Sequence, residues 1–211
     1  MKHQSNILAL KYRPKDFSDL IGQDYLVETI QKSIEQNKIP NAYIFTGIRG
    51  VGKTTTARIV AKMLNCTVFD GENKPDLQKC DQALAITEDR HPDVIEIDAA
   101  SNTSVENARE IIENVKYNPV LGKYKVYIID EVHMLSKSAF NALLKTLEEP
   151  PPHSKFIFAT TEISKVPVTI LSRCQRFDLR RIEKKELKAL AALAAARQGN
   201  SGKKSKTALE S

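Results

Sequence analysis

Gly47-Ile48-Arg49-Gly50-Val51-Gly52-Lys53-Thr54 satisfies the pattern G-x-x-x-x-G-K-[ST] at every required position. The flanks suit it. Ala42-Tyr43-Ile44-Phe45-Thr46 reads as a short buried strand. From Thr55 onward the chain reads as a helix with Ala57, Val60, Ala61 and Leu64 on its inward face. Strand, glycine-rich loop and helix start, in that order, build a phosphate cradle. Glycines let the backbone turn its N–H groups inward, and the helix N-terminus adds a partial positive charge. In such a loop Lys53 reaches the β- and γ-phosphates of a nucleotide, and the Thr54 hydroxyl holds Mg²⁺. The candidate nucleotide-binding set from this stretch is Gly47, Ile48, Arg49, Gly50, Val51, Gly52, Lys53, Thr54 and Thr55.

A second signal stands further along. Lys125-Val126-Tyr127-Ile128-Ile129-Asp130-Glu131 is a nearly continuous apolar run that ends in two acids. Such a run is expected of a strand buried on both faces of a parallel sheet. In P-loop NTPases an acid at the carboxyl end of such a strand coordinates Mg²⁺, and Asp130 fits that role. Glu131 is the natural group to orient and polarise a water in line with the γ-phosphate.

Working outward, residues 7–22 read as an arm with little regular structure, punctuated by Pro14 and Gly22. Leu26, Ile30 and Ile34 recur every fourth position and predict a helix over 23–37. Residues 66–92 carry the least pattern. Residues 94–98 read as a strand, and Thr103 to Glu106 has the T-x-x-E form of a capping box before a helix that places Val105, Ala108, Ile111, Ile112 and Val115 on one side. A helix is expected over 136–149, stopped by Pro150-Pro151-Pro152, and strands over 155–161 and 175–179. Strand–helix alternation of this kind implies a five-stranded parallel sheet flanked by helices, an α/β P-loop NTPase fold with nucleotide at the carboxyl edge of the sheet. A further helix is expected over 182–198.

The 211 residues suffice for one large domain, and 41% hydrophobic content supports a core. No run of eighteen apolar residues is present, which excludes a helical membrane span, and Met1 to Asn6 carries no apolar signal region. Cys66, Cys80 and Cys174 suit a reducing compartment and give no disulfide framework. A cytoplasmic protein is expected. The net charge of +6 is confined to the end of the chain: residues 1–179 balance 23 basic against 23 acidic residues, and 180–211 carry nine against three. The body therefore carries no excess positive charge of its own for nucleic acid.

Taken together, the words Lys11-Tyr12-Arg13-Pro14, Asp19-Leu20-Ile21-Gly22-Gln23, the phosphate loop, Glu96-Ile97-Asp98-Ala99-Ala100-Ser101 and Ile129-Asp130-Glu131-Val132-His133-Met134-Leu135 form a recognisable set. Asn141 through Pro151, Ala159-Thr160-Thr161 and Ile170-Leu171-Ser172-Arg173-Cys174 complete it. The chain resembles the N-terminal AAA+ ATPase module of the gamma/tau subunits of bacterial DNA polymerase III clamp loaders. The resemblance implies ATP with Mg²⁺ as ligands, and partnership with other clamp-loader subunits, the sliding clamp and, through the complex, primer-template DNA, with no membrane. It also implies roles for particular residues. Arg173 acts in trans as an arginine finger on ATP held by a neighbour, Thr161 senses the γ-phosphate, and Tyr12, Arg13, Pro14, Ile21 and Gly22 wall the adenine side. Asn102, Thr103 and Arg109 are the candidates offered for DNA contact.

The resemblance also sets a domain division: an ATPase domain over 1–180, then an incomplete helical lid and basic tail over 181–211. The family usually carries four zinc-binding cysteines after the phosphate-loop helix. Here Cys66 and Cys80 match two of those positions while Leu77 and Ala83 stand at the others, so no zinc is expected. Two other readings stand beside the clamp-loader motor: an AAA+ motor of another class, and a truncated ATP-binding fragment that neither assembles nor turns over.

Overall fold

The computed structural model describes residues 14, 16–20, 22–70, 75–102 and 104–181. Tyr12, Arg13, Ile21, Thr103 and the helix expected over 182–198 lie outside the described residues. In chain order the helices are α1 (Asp24–Glu35), α2 (Lys53–Asn65), α3 (Asp81–Thr87), α4 (Val105–Val115), α5 (Lys137–Glu148) and α6 (Val168–Leu171). The strands are β1 (Ala42–Thr46), β2 (Val94–Asp98), β3 (Lys125–Asp130), β4 (Ser154–Thr160) and β5 (Gln175–Asp178). They form one five-stranded sheet in the order β2-β3-β4-β1-β5, with every neighbouring pair parallel. The expected α/β architecture is thus the observed one.

The apolar runs explain the order. β1 and β4 are buried at every position and β3 at all but Asp130, so these three occupy the middle of the sheet. Successive strand side chains point to opposite faces. Tyr43, Phe45 and Ile128 therefore enter a core with Ile59, Val60 and Leu64 of α2. Ile44, Ile129 and Phe158 enter the other, with Ile111 of α4 and Leu143 of α5. Each such side chain taken fully from water contributes about 1.5–3 kcal/mol. Edge strand β2 is only half-buried, in keeping with its alternation of apolar residues with Glu96 and Asp98.

Local differences from expectation have local causes. Helix α2 begins at Lys53, two residues early, because the left-handed turn at Gly52 (φ 102°) already places Lys53 and Thr54 in its first turn. Strand β3 stops at Asp130, because Glu131 takes φ 46° and cannot continue the ladder. The cap of α4 is Ser104, whose hydroxyl accepts from Asn107 N–H, rather than the capping box expected from Thr103. Helix α3 was not expected. It has seven residues and buries only Ala83 and Ile86, too little pattern for a periodicity to show. It carries Cys80 at its N-cap, and both thiols of this region are buried: Cys66 is 7% and Cys80 2% exposed. Leu77 and Ala83 pack into the same core and present no ligating atom beside them.

Two buried polar side chains fix the approach to β3. Asn65 accepts from Tyr124 N–H at 2.8 Å and donates to Tyr124 O at 3.0 Å. Asp93, fully buried, accepts the N–H groups of Val120, Leu121 and Gly122, each at 2.7 Å. Burial alone would push its carboxyl up. The N–H groups of Gly122, Val120 and Leu121, with His91 nearby, outweigh burial and hold it below the usual carboxylate range. A carboxyl lowered on folding stabilises the protein above its unfolded pKa of about 4, and that contribution is lost as pH falls through the folded value. Asp93→Ala is therefore expected to cost about 2–4 kcal/mol at neutral pH, three backbone donors losing their buried acceptor, and to flatten the acid limb of a pH-dependent urea denaturation series. An unchanged acid limb would mean that Asp93 is not a source of the acid sensitivity.

Candidate functional site

The site is assembled at the carboxyl ends of β1, β3 and β4. Thr46 pairs with Thr160, and Ile129 with Phe158, so these ends finish nearly level. From β1 the chain enters the loop through Gly47 (φ 145°), Gly50 (φ 79°) and Gly52 (φ 102°). A Cβ on Gly50 or Gly52 would meet nothing within 4 Å, so the loop surface there is open to a ligand. At Gly47 the reverse holds. A Cβ would lie 2.8 Å from the Leu179 carbonyl oxygen, so the loop begins hard against the chain leaving β5. That junction is tied twice more: Leu179 N–H donates to Thr46 O at 2.8 Å, and the Thr46 hydroxyl donates to the Asp178 carboxylate.

Lys53 is buried to 5% exposure and donates to the carbonyls of Gly47 (3.0 Å) and Ile48 (3.3 Å), which aims its ammonium across the loop. Thr54 donates its hydroxyl to Asp130 Oδ2. The expected metal pair is thus brought together from α2 and β3. A hydroxyl and a carboxylate are hard oxygen donors of the kind Mg²⁺ takes, alongside phosphate oxygens and water. The open glycines, the lysine and this pair together fit a Mg²⁺-nucleotide. Thr55 follows in the first turn of α2.

Glu131 is next to Asp130, and its left-handed backbone swings the side chain toward β4. Glu131 Oε2 accepts from Thr161 N–H at 3.1 Å and from the Thr161 hydroxyl at 2.9 Å, while Lys53 Nζ stands 4.0 Å from Oε1. The structure therefore joins Lys53, Thr54, Asp130, Glu131 and Thr161 in one constellation. Sequence reasoning gave no role to His133 and Glu162, which border it. His133 Nδ1 is 2.9 Å from Thr160 Oγ1, and Nε2 is 3.4 Å from Glu162 Oε1. The meeting crosses from β3 to β4, so nothing in local sequence could announce it.

Arg173 is placed elsewhere. Its guanidinium donates to Glu148 Oε1 at 2.6 Å, to Thr169 O at 2.6 Å and to Ser172 Oγ at 3.3 Å, all on α5 and the end of α6. None of these partners belongs to the phosphate loop. Gly22 lines a groove of about 550 Å³ with Tyr25, Phe177 and Asp178, where Gln23 also donates to Arg180 O. Pro14 is half-buried. Among the DNA-contact candidates, Asn102 is engaged locally by Asp98 and Asn107, and Arg109 is exposed. Among the described residues no helix is long and apolar enough to cross a membrane, and no cluster of three metal-binding side chains occurs.

A strand order with β4 between β1 and β3, a glycine loop feeding α2 and an acid pair ending β3 define a P-loop nucleotide-binding protein of the AAA+ class. The model of the family "DNA polymerase III, delta subunit" matches residues 22–183, and this chain belongs to that family. It is 50% identical over 181 residues to the DNA polymerase III subunit tau/gamma of Haemophilus influenzae, covering 86% of this chain and 26% of that one. It is 49% identical over 182 residues to the DNA polymerase III subunit tau of Escherichia coli, covering 86% and 28%. To the subunit gamma of Buchnera aphidicola subsp. Baizongia pistaciae it is 49% identical, covering 86% and 49%. The chain thus spans between about a quarter and a half of these relatives. Among solved structures, the Holliday junction branch migration motor RuvB of Thermotoga maritima superposes with a TM-score of 0.64 at 20% identity, over 89% of this chain and 55% of that one. That likeness is one of fold.

Gly47→Ala tests the tight junction. It places a methyl group against the Leu179 carbonyl on a backbone that L-residues avoid. We expect a loss of about 1–3 kcal/mol in thermal or urea denaturation, and at least a tenfold weaker affinity for a fluorescent ATP analogue. Unchanged nucleotide affinity would mean that the loop does not need this conformation.

Proposed function

We propose that this chain is the ATP-binding and ATP-hydrolysing motor module of a DNA polymerase III clamp loader, working in the cytoplasm with other clamp-loader subunits to place a sliding clamp on primer-template DNA. The observation that carries the reading is the convergence of Lys53, the Thr54–Asp130 pair and the Glu131–Thr161 pair at one sheet edge. Family membership and the tau and gamma relatives support the rest. On this reading residues 1–180 form the ATPase domain and those from 181 open the lid.

The chain's own groups divide the work. Loop N–H groups and Lys53 bind the β- and γ-phosphates and neutralise their charge. Thr54 and Asp130 hold Mg²⁺, which when bound draws charge from the phosphate oxygens. Glu131 accepts a proton-bearing edge of the attacking water and sets it in line with the γ-phosphorus. Thr161, fixed to Glu131, reports at β4 whether the γ-phosphate is present. Arg173 lies among α5 and α6, apart from its own chain's loop, which suits a guanidinium offered to ATP on a neighbouring subunit.

Complementation tests both halves. Lys53→Ala is expected to lose nucleotide binding at least a hundredfold, and Arg173→Ala to bind ATP as the parent does while losing at least a hundredfold in turnover. Each variant alone is inactive. Mixed at rising concentration they regain activity, because one supplies the site and the other the finger. Full turnover by Arg173→Ala alone would remove the finger assignment. ATP binding without turnover in any mixture would leave a nucleotide-binding module and no motor, and absence of ATP binding by the parent chain would sink the reading.

A further inference from the structure

His133 sits in the one-turn helix Val132–Met134 that follows Glu131, with its side chain 6% exposed. Three oxygens surround the imidazole. Nδ1 is 2.9 Å from Thr160 Oγ1 and 3.3 Å from Glu131 Oε2, and Nε2 is 3.4 Å from Glu162 Oε1. Thr160 Oγ1 also accepts the N–H of Glu162 at 3.1 Å, which fixes that oxygen in place. Nδ1 thus faces a hydroxyl and a carboxylate and Nε2 a second carboxylate, so both edges of the ring are enclosed by oxygen partners.

The same oxygen of Glu131 that His133 approaches already accepts two hydrogen bonds from Thr161. One carboxylate oxygen is thus held by β4 through Thr161 and is also packed at 3.3 Å against Nδ1 of His133, whose ring is hydrogen-bonded to Thr160 and stands 3.4 Å from Glu162. The buried imidazole walls the Oε2 side of the carboxylate, while Lys53 Nζ stands 4.0 Å from Oε1, so the direction of Glu131 is set by more than Thr161.

We propose that His133 is a positioning residue for ATP hydrolysis: it fixes the orientation of the Glu131 carboxylate relative to the end of β4. Its role passes through Glu131, so the proposal rests on the reading of Glu131 as the water-orienting group. A carboxylate that must stand in hydrogen-bond reach of a water loses rate when its direction is unset. Binding of ATP, carried by the loop, does not depend on that direction.

The test is a double-substitution cycle on the full chain, with imidazole nitrogen NMR as a second readout. His133→Ala is expected to lower kcat about tenfold or more while ATP affinity stays within about twofold. In a Glu131→Gln background the same substitution is expected to change the residual rate by less than about twofold, since its effect passes through the carboxylate. Without nucleotide, Glu131→Gln and Thr160→Val are each expected to move the His133 Nδ1 resonance. Thr160→Val keeps the imidazole and guards against a folding defect of His133→Ala. Equal rate losses in both backgrounds, or a changed ATP affinity with kcat preserved, would overturn the proposal. The two readings fail differently. If Glu131→Gln leaves turnover intact, the role of Glu131 falls, and the positioning role with it. If Glu131→Gln abolishes turnover but His133→Ala does not lower kcat, only the positioning role falls.

Discussion

β4 lies between β1 and β3, and the parallel pairing on both of its edges sets everything else in the molecule. Thr46 is level with Thr160, and Ile129 with Phe158, so the phosphate loop, Asp130 and Thr161 leave the sheet at one edge within side-chain reach. A slip by one residue would send Ile44 and Phe158 into the opposite core and separate Thr54 from Asp130. The strand is buried along its whole length, which is why such a slip is costly. The apolar core is therefore what holds the polar edge to register.

Parts of this were legible in the sequence because local backbone chemistry writes them locally. A loop that needs positive φ at several positions spells itself in glycine, and a strand buried on both faces spells itself in unbroken apolar residues. Gly47, Gly50, Gly52, Ile128 and Ile129 are examples. Asp130 and Thr54 could be paired on paper because their motifs have known partners. Thr161 and Arg173 were reachable only through family resemblance, since a threonine after a strand and an arginine after a short helix carry no pattern of their own.

The remainder was hidden for physical reasons. The burial of Cys66 and Cys80 depends on α3, which is too short to show a period. Glu131 leaves the strand through a left-handed residue, a conformation that a glutamate does not advertise. The contacts of His133 with Thr160 and Glu162 join segments 27 and 29 residues apart, and only the sheet brings them together. Asp93 is similar: a lone acid before a strand reads as solvated, yet it caps a turn at 120–122 from inside the protein.

The tight junction of Gly47 with Leu179 has a mechanical meaning. Thr46 grips Asp178 and Leu179 by side chain and backbone, and Gln23 of the preceding segment grips the carbonyl of Arg180. The first residue of the phosphate loop and the last residues before 181 therefore form a single hinge plate, with a backbone carbonyl seated where a side chain would otherwise be. Torque applied to the chain at that plate reaches the phosphate cradle through bonded contacts rather than through solvent. The entry to the phosphate loop and the chain leaving β5 are thus coupled in the fold at a glycine.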